Sequence, residues 1–311
     1  MTGLGAIIRE LREEKNMTRG ELTEGICTEK YLYLIEKGER NPSADILLQF
    51  GRRLKTDLYQ FYRYSDCQEP LKVARIVEEL NKARGLTDYD ERLRLAKEAE
   101  KLADFKNKPW FYIKESAKFE YYLVIENKVK ETLAAIEELI ESMTEEEAIS
   151  EFATVLYLAY AYALERDEQY EKSYEIVAKI EDIQEKKKEY YNPVALNVVI
   201  ETGIISIVSS FRLQKYQETY DKAQGLRQLM KDFALYARGS WLFAFLAFSC
   251  FCLGKKEEAL LNFKRALTMQ MLSKNRVELT YLTADESYKK LMEEFADDYV
   301  VKEFVRYCQL S

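Results

Sequence analysis

Apolar residues recur at helical spacing from residue 4 onward, and the breaks between them carry helix start and stop signals. Ile7 and Leu11 stand four apart, on one face of a first helix that Asn16 ends. Thr18 with Glu21 has the spacing of a capping box and opens a second helix, from which Leu22 points inward. Gly25 permits a sharp turn. Thr28 caps a third helix with Leu32 and Ile35 as its buried stripe, and Gly38 stops it. Asn41-Pro42-Ser43 is a turn and a cap. Leu47, Phe50 and Leu54 form the next stripe, and Leu58 and Phe61 close a five-helix unit over 1–64.

Two short helices joined across Gly25 have helix-turn-helix geometry, in which the N-terminal residues of the following helix enter the major groove of duplex DNA. With Leu32 and Ile35 inward, Thr28, Glu29, Lys30 and Tyr31 are the candidate base readers and Tyr33 an edge contact. Arg19 opens the second helix, where amides and a guanidinium can face a phosphate. Lys37, Arg40 and Asn41 follow the reading helix and are placed to hold the far side of the groove. The charge balance of 1–64 is only +1, from 11 Lys/Arg and 10 Asp/Glu. Phosphate contacts must therefore come from clustering, with Lys30, Arg52, Arg53 and Lys55 as further candidates.

The residues IRELREEKNMT, GELTEGI and YLIEKGERNPSADIL resemble, in that order, the Xre/Cro-type helix-turn-helix family. Arg19 stands where that family usually has Gln, and Cys27-Thr28 lengthens the turn relative to many members. The resemblance implies DNA binding. It also implies a buried pair between Arg12 and Glu36, which stands where the family places a paired acid.

Composition turns the rest of the 311 residues into a helical problem: 4 Pro and 11 Gly, with Ala, Leu, Glu and Lys abundant. Residues beyond 64 hold 36 basic and 44 acidic side chains, so they are unsuited to bind DNA. The absence of His removes imidazole catalysis and His-ligated metal. No Gly-rich phosphate loop occurs, and acidic runs such as Glu145-Glu146-Glu147 read as solvated faces. Nothing argues for an enzyme, a cofactor or a metal. Five Cys do not make a disulfide framework, and Cys250-x-Cys252 lacks zinc spacing. A reducing cytoplasm is the expected location. The most apolar stretch, Ser240–Leu253, is too short to span a membrane and reads as a buried or groove-lining helix.

Beyond residue 70 the chain repeats. In GSWLFAFLAFSCFCLGKKEEALLNFKRALTM, residues 239–269, Gly254 is the turn, with Ala259, Phe263 and Ala266 behind it and Leu246 and Ala247 ahead. This unit resembles the tetratricopeptide repeat. The same grammar puts second-helix starts at Tyr89, Val129, Tyr170, Tyr216 and Lys256, separated by 40, 41, 46 and 40 residues. The expected fold is all-α: the helix-turn-helix unit, a linker over 65–70, then 71–311 as a right-handed superhelix of about five tetratricopeptide-like helix pairs with C-terminal capping helices. First-helix residues expected on its concave face are Tyr162, Arg166, Asn197, Glu201, Phe211, Arg238, Trp241, Phe245 and Phe248. They combine amide and charged groups that grip an extended peptide with aromatic surface that buries its side chains. Asn197, donor and acceptor at once, is the expected backbone grip.

Together the two parts resemble the peptide-pheromone regulators of Gram-positive bacteria, the Rap/Rgg/NprR/PlcR/PrgX superfamily. That resemblance implies a homodimeric cytoplasmic transcription factor. It implies as partners a double-stranded DNA operator and a short signalling peptide, and no membrane. Two other readings stay open: a regulator answering to a protein partner or another small molecule instead of a peptide, and a protein-interaction switch resembling the phosphatase members of the superfamily.

Overall fold

The computed structural model describes residues 3–186, 193–236, 238–273 and 276–310. Every regular element among them is helical. The chain forms two compact units: residues up to Ala83 with Asp90–Lys118, and Arg84–Tyr89 with everything from Phe119 onward.

The first unit opens with α1 (Leu4–Glu14), α2 (Arg19–Thr23), α3 (Glu29–Glu36) and α4 (Ala44–Leu54). The expected caps are present. Thr18 and Glu21 form a reciprocal capping box, Thr28 accepts from the Tyr31 amide, and Ser43 from that of Ile46. Ile7, Ile8, Leu22, Leu32, Ile35, Leu47, Phe50 and Leu54 are fully buried. Gly5 lets α1 lie directly on the α3 backbone; a Cβ there would stand 1.9 Å from the Ile35 carbonyl oxygen. The fifth helix is a 3-10 turn, Tyr59–Tyr64, opened by the Asp57 carboxylate accepting from the Tyr59 amide.

The segment expected as a linker is instead built into this unit. The amides of Gln68 and Glu69 donate to the Asp104 carboxylate at 2.8 and 3.0 Å, Cys67 is buried, and Tyr64 stacks on Trp110. Its polar composition reads as a hinge because Asp104, which satisfies its amides, lies far off in sequence. Pro70 then opens α5 (Pro70–Gly85), followed by α6 (Tyr89–Ala99) and α7 (Trp110–Val124).

The second unit is a set of helix pairs. After α8 (Val129–Glu141) and the short α9 (Glu145–Ala148) come α10 (Glu151–Arg166) with α11 (Tyr170–Lys186), and α12 (Pro193–Arg212) with α13 (Tyr216–Asp232). The third pair is α14 (Gly239–Cys252) with α15 (Lys256–Ser273). Second helices α6, α8, α11, α13 and α15 begin on Tyr89, Val129, Tyr170, Tyr216 and Lys256, the five residues the repeat period selects. Gly254 takes φ 75°, and Leu246, Ala247, Ala259, Phe263 and Ala266 are all fully buried. α14 is apolar on every side because it is enclosed between α13, α15 and α17. The repeats end in α16 (Arg276–Ala284), α17 (Glu286–Glu294) and α18 (Tyr299–Leu310). Leu291, Val301 and Phe304 of the last two extend the same core. In the acidic run Glu145 and Glu146 are exposed, and Glu147, half-buried, is structural, since it completes a capping box with Thr144.

Candidate functional site

On the first unit, burial of Leu32 and Ile35 leaves Glu29, Lys30, Tyr33 and Lys37 exposed along α3, with Arg40 and Asn41 exposed just beyond it. Two candidate readers are partly committed to local structure. Thr28 caps the helix, and the Tyr31 hydroxyl donates to the Asn41 carbonyl at 3.1 Å. Arg12 and Glu36 pair as expected, Nε to carboxylate at 2.7 Å, with Glu36 2% exposed. The second oxygen of Glu36 takes Arg19 Nε at 2.6 Å. The Arg19 guanidinium also lies 5.2 Å from the Tyr33 ring centre, and the Lys37 ammonium 4.7 Å from it. Arg19 is thus held toward α3 by a buried acid and an aromatic face. Arg53, a further expected phosphate contact, is anchored locally. Its Nη1 donates to the carbonyls of Glu21, Leu22 and Glu24, at 3.0, 3.1 and 2.7 Å, closing the C-terminus of α2. These contacts use one guanidinium nitrogen and anchor the side chain at the end of α2.

The second unit holds a cavity of about 190 Å³. Its apolar wall is made by Leu158, Ile204, Ile205, Val208 and Phe245, with Trp241 stacked on Phe245 at 5.9 Å. Its polar wall is a set of opposed charges. Arg238 pairs with Glu201 at 2.7 Å, Arg84 with Glu120 at 2.6 Å and Arg212 with Asp285 at 2.6 Å. Burial works against the Arg238 charge, but Glu201, Tyr89 and Glu278 hold its pKa well above the ordinary value. Arg238 reaches this position from a left-handed backbone, φ 64°, at the N-cap of α14. Burial pushes the Glu165 and Glu278 carboxyls upward, against hydrogen bonds from Ser209 and Ser173 to the first and the charge of Arg238 on the second.

Of the residues expected on a concave face, Tyr162, Arg166, Glu201, Arg238, Trp241 and Phe245 line this cavity. Three do not. Phe211 and Phe248 turn into the core, their ring centres 5.7 Å apart and each packed on Phe245, so the expectation that they touch a ligand is corrected. An aromatic stripe on a helix enclosed on several sides supplies core and cavity together. Asn197 lies outside the lining, close to Gly85. Arg84, Glu120, Glu165, Arg212, Tyr281 and Asp285 also line the cavity with no sequence signal pointing to them there, as does Tyr89, which the period marks only as a helix start. Tyr281 and Asp285 belong to α16 and its end, beyond the last repeat, where no period points to them.

Residues 8–61 match the family described as Helix-turn-helix (HTH_3), so the chain carries an Xre-type helix-turn-helix domain followed by an all-helical, tetratricopeptide-like array. Across most of its length the chain has the fold of three solved proteins. It is similar to Bacillus thuringiensis PlcR, solved with the peptide PapR7 and DNA, at 15% identity and TM-score 0.64, over 88% of this chain and 95% of that one. It is similar to ComR from S. thermophilus, solved with DNA and its signalling peptide ComS, at 19% identity and TM-score 0.52, over 88% and 95%. The third is the SHP pheromone receptor Rgg2 of Streptococcus dysgalactiae, at 14% identity and TM-score 0.50, over 92% and 99%. No curated protein sequence matches the chain. No helix among the described residues is long and apolar enough to cross a membrane.

Proposed function

We propose that this chain is a transcriptional regulator that binds an operator through its helix-turn-helix domain and is controlled by a short peptide held in the cavity of the repeat array. The cavity carries the reading: an apolar wall with Trp241 and Phe245 faces a wall of oriented charges, so one ligand must offer both side-chain bulk and polar backbone or termini. A short peptide does so. PlcR was solved with the peptide PapR7 and DNA, and ComR with DNA and its signalling peptide ComS, which supports the same assignment. On this reading Glu29 and Lys30 read bases with Thr28 and Tyr31, and Tyr33 touches the groove edge. Arg19, Lys37, Arg40 and Asn41 position the phosphates, the protein acts as a homodimer, and its place is the cytoplasm.

The test is native mass spectrometry of the protein purified from its own host, with a gel shift on the DNA flanking its gene. A bound short peptide, of roughly five to ten residues, and a specific shift are expected. Trp241→Ala should release the peptide. Co-purification of a protein partner in place of a peptide would overturn the reading.

A further inference from the structure

Four arginines line the cavity of the second unit, and three are neutralised by an acid of the same cavity: Arg84 by Glu120, Arg212 by Asp285 and Arg238 by Glu201. The fourth, Arg166, has no carboxylate partner among the described residues. Its guanidinium is held by neutral groups. Nη1 donates to the Tyr281 hydroxyl, Nη2 to Asn127 Oδ1, and the plane lies 4.8 Å from the centre of the Tyr281 ring. The Tyr281 hydroxyl donates in turn to the Val124 carbonyl at 3.4 Å, so these supports are themselves oriented. The neighbouring acid, Glu165, is occupied by Ser209. Arg166 lies in the last turn of α10, where helix carbonyls offset only part of its charge.

A half-buried cation fixed in place by neutral acceptors attracts an anion from whatever enters. Two of the guanidinium's N–H donors are used and the rest remain, in the planar fork that matches a carboxylate. Arg84 also keeps buried Nε and Nη1 donors without a partner, but its charge, like those of Arg212 and Arg238, is already met by an acid of the cavity. We infer that Arg166 is the seat of a carboxylate brought by the ligand, either the C-terminus of the peptide or an acidic side chain. This deepens the peptide reading and rests on it. A charge-assisted hydrogen bond of this kind corresponds to a roughly tenfold or greater preference for the carboxylate over its amide.

The full-length protein is incubated with three pools of synthetic heptapeptides of randomised sequence. The first omits Asp and Glu and ends in a free acid. The second omits them and ends in an amide. The third contains them and ends in an amide. Peptides that stay with the protein through gel filtration are counted by mass spectrometry. The first or the third pool should be retained at least tenfold over the second. Arg166→Gln should remove that difference while leaving the second pool bound as before, and Arg166→Lys, which keeps the charge without the fork, should reduce it. If Arg166→Gln does not fold, the Arg166→Lys result decides. An excess of the first pool alone over the second assigns the seat to the C-terminus, an excess of the third alone assigns it to a side-chain carboxylate, and an excess of both shows that either fills it. Equal retention of all three pools overturns the inference and leaves peptide binding standing. Retention of none overturns the peptide reading and the inference with it.

Discussion

Removing both guanidinium partners of Glu36 should cost more than the sum of removing each. Glu36 is 2% exposed and takes Arg12 at 2.7 Å and Arg19 at 2.6 Å, one on each oxygen. The two partners differ in solvation, with the Arg12 side chain 8% exposed and that of Arg19 37%. Arg19→Met loses a solvent-screened contact while Arg12 still neutralises the acid, so the cost should be about 0.5–1 kcal/mol. Arg12→Met leaves Arg19 in place but also strips the Met17 carbonyl of its 2.7 Å donor, for about 2–3 kcal/mol. The double variant leaves a buried carboxylate with no counter-charge and should exceed the sum by about 1–2 kcal/mol. A chain with two compact units need not unfold in one step, so the assay is hydrogen exchange of α1–α3 amides in the full-length protein. Additivity within about 0.5 kcal/mol, or equal single costs, would refute the shared-acid reasoning.

Lys30→Ala should lower operator affinity more than affinity for random DNA, whereas Arg40→Ala should weaken both and flatten the salt slope by about one unit; equal loss of specificity from the two contradicts that division. Gly5→Ala should destabilise the first unit by about 3 kcal/mol or more, because its Cβ would sit 1.9 Å from backbone oxygen that cannot rotate away; unchanged exchange protection in α1 and α3 would contradict it. Burial raises the Glu165 pKa above 4.5, so its favourable contribution is present below 4.5 and lost as pH rises through the raised value. Glu165→Gln, neutral throughout, should therefore gain stability on the parent as pH rises; a pH-independent difference in unfolding midpoint contradicts the assignment.

The parts of the structure readable from sequence are those fixed by local chemistry. Thr18, Thr28 and Ser43 cap because each is followed by an amide it can reach, and Gly38 and Gly254 stop helices because they tolerate φ near 75°. The second-helix starts were readable because each repeat must present the same packing face to its neighbour. What stayed hidden depends on residues distant in sequence. Asp104 ties down 68 and 69, Arg53 closes α2, and Tyr281 supports Arg166 across 115 positions. The cavity was half legible. The period selected the helices that line it, but helices buried on several sides do not reveal which of Trp241, Phe245 and Phe248 faces the opening.

Regulation by a cavity ligand is a coupling free energy between two sites, and it is reciprocal. The most direct measurement takes an operator selected from random DNA by the full-length protein and titrates it, by fluorescence anisotropy at fixed salt, with and without the peptide that co-purifies with the protein. The account predicts that the peptide changes operator affinity by roughly five- to 150-fold, that the operator changes peptide affinity by the same factor, and that Trp241→Ala removes the effect while operator binding without peptide stays intact. An operator affinity that is the same at zero and saturating peptide would contradict it.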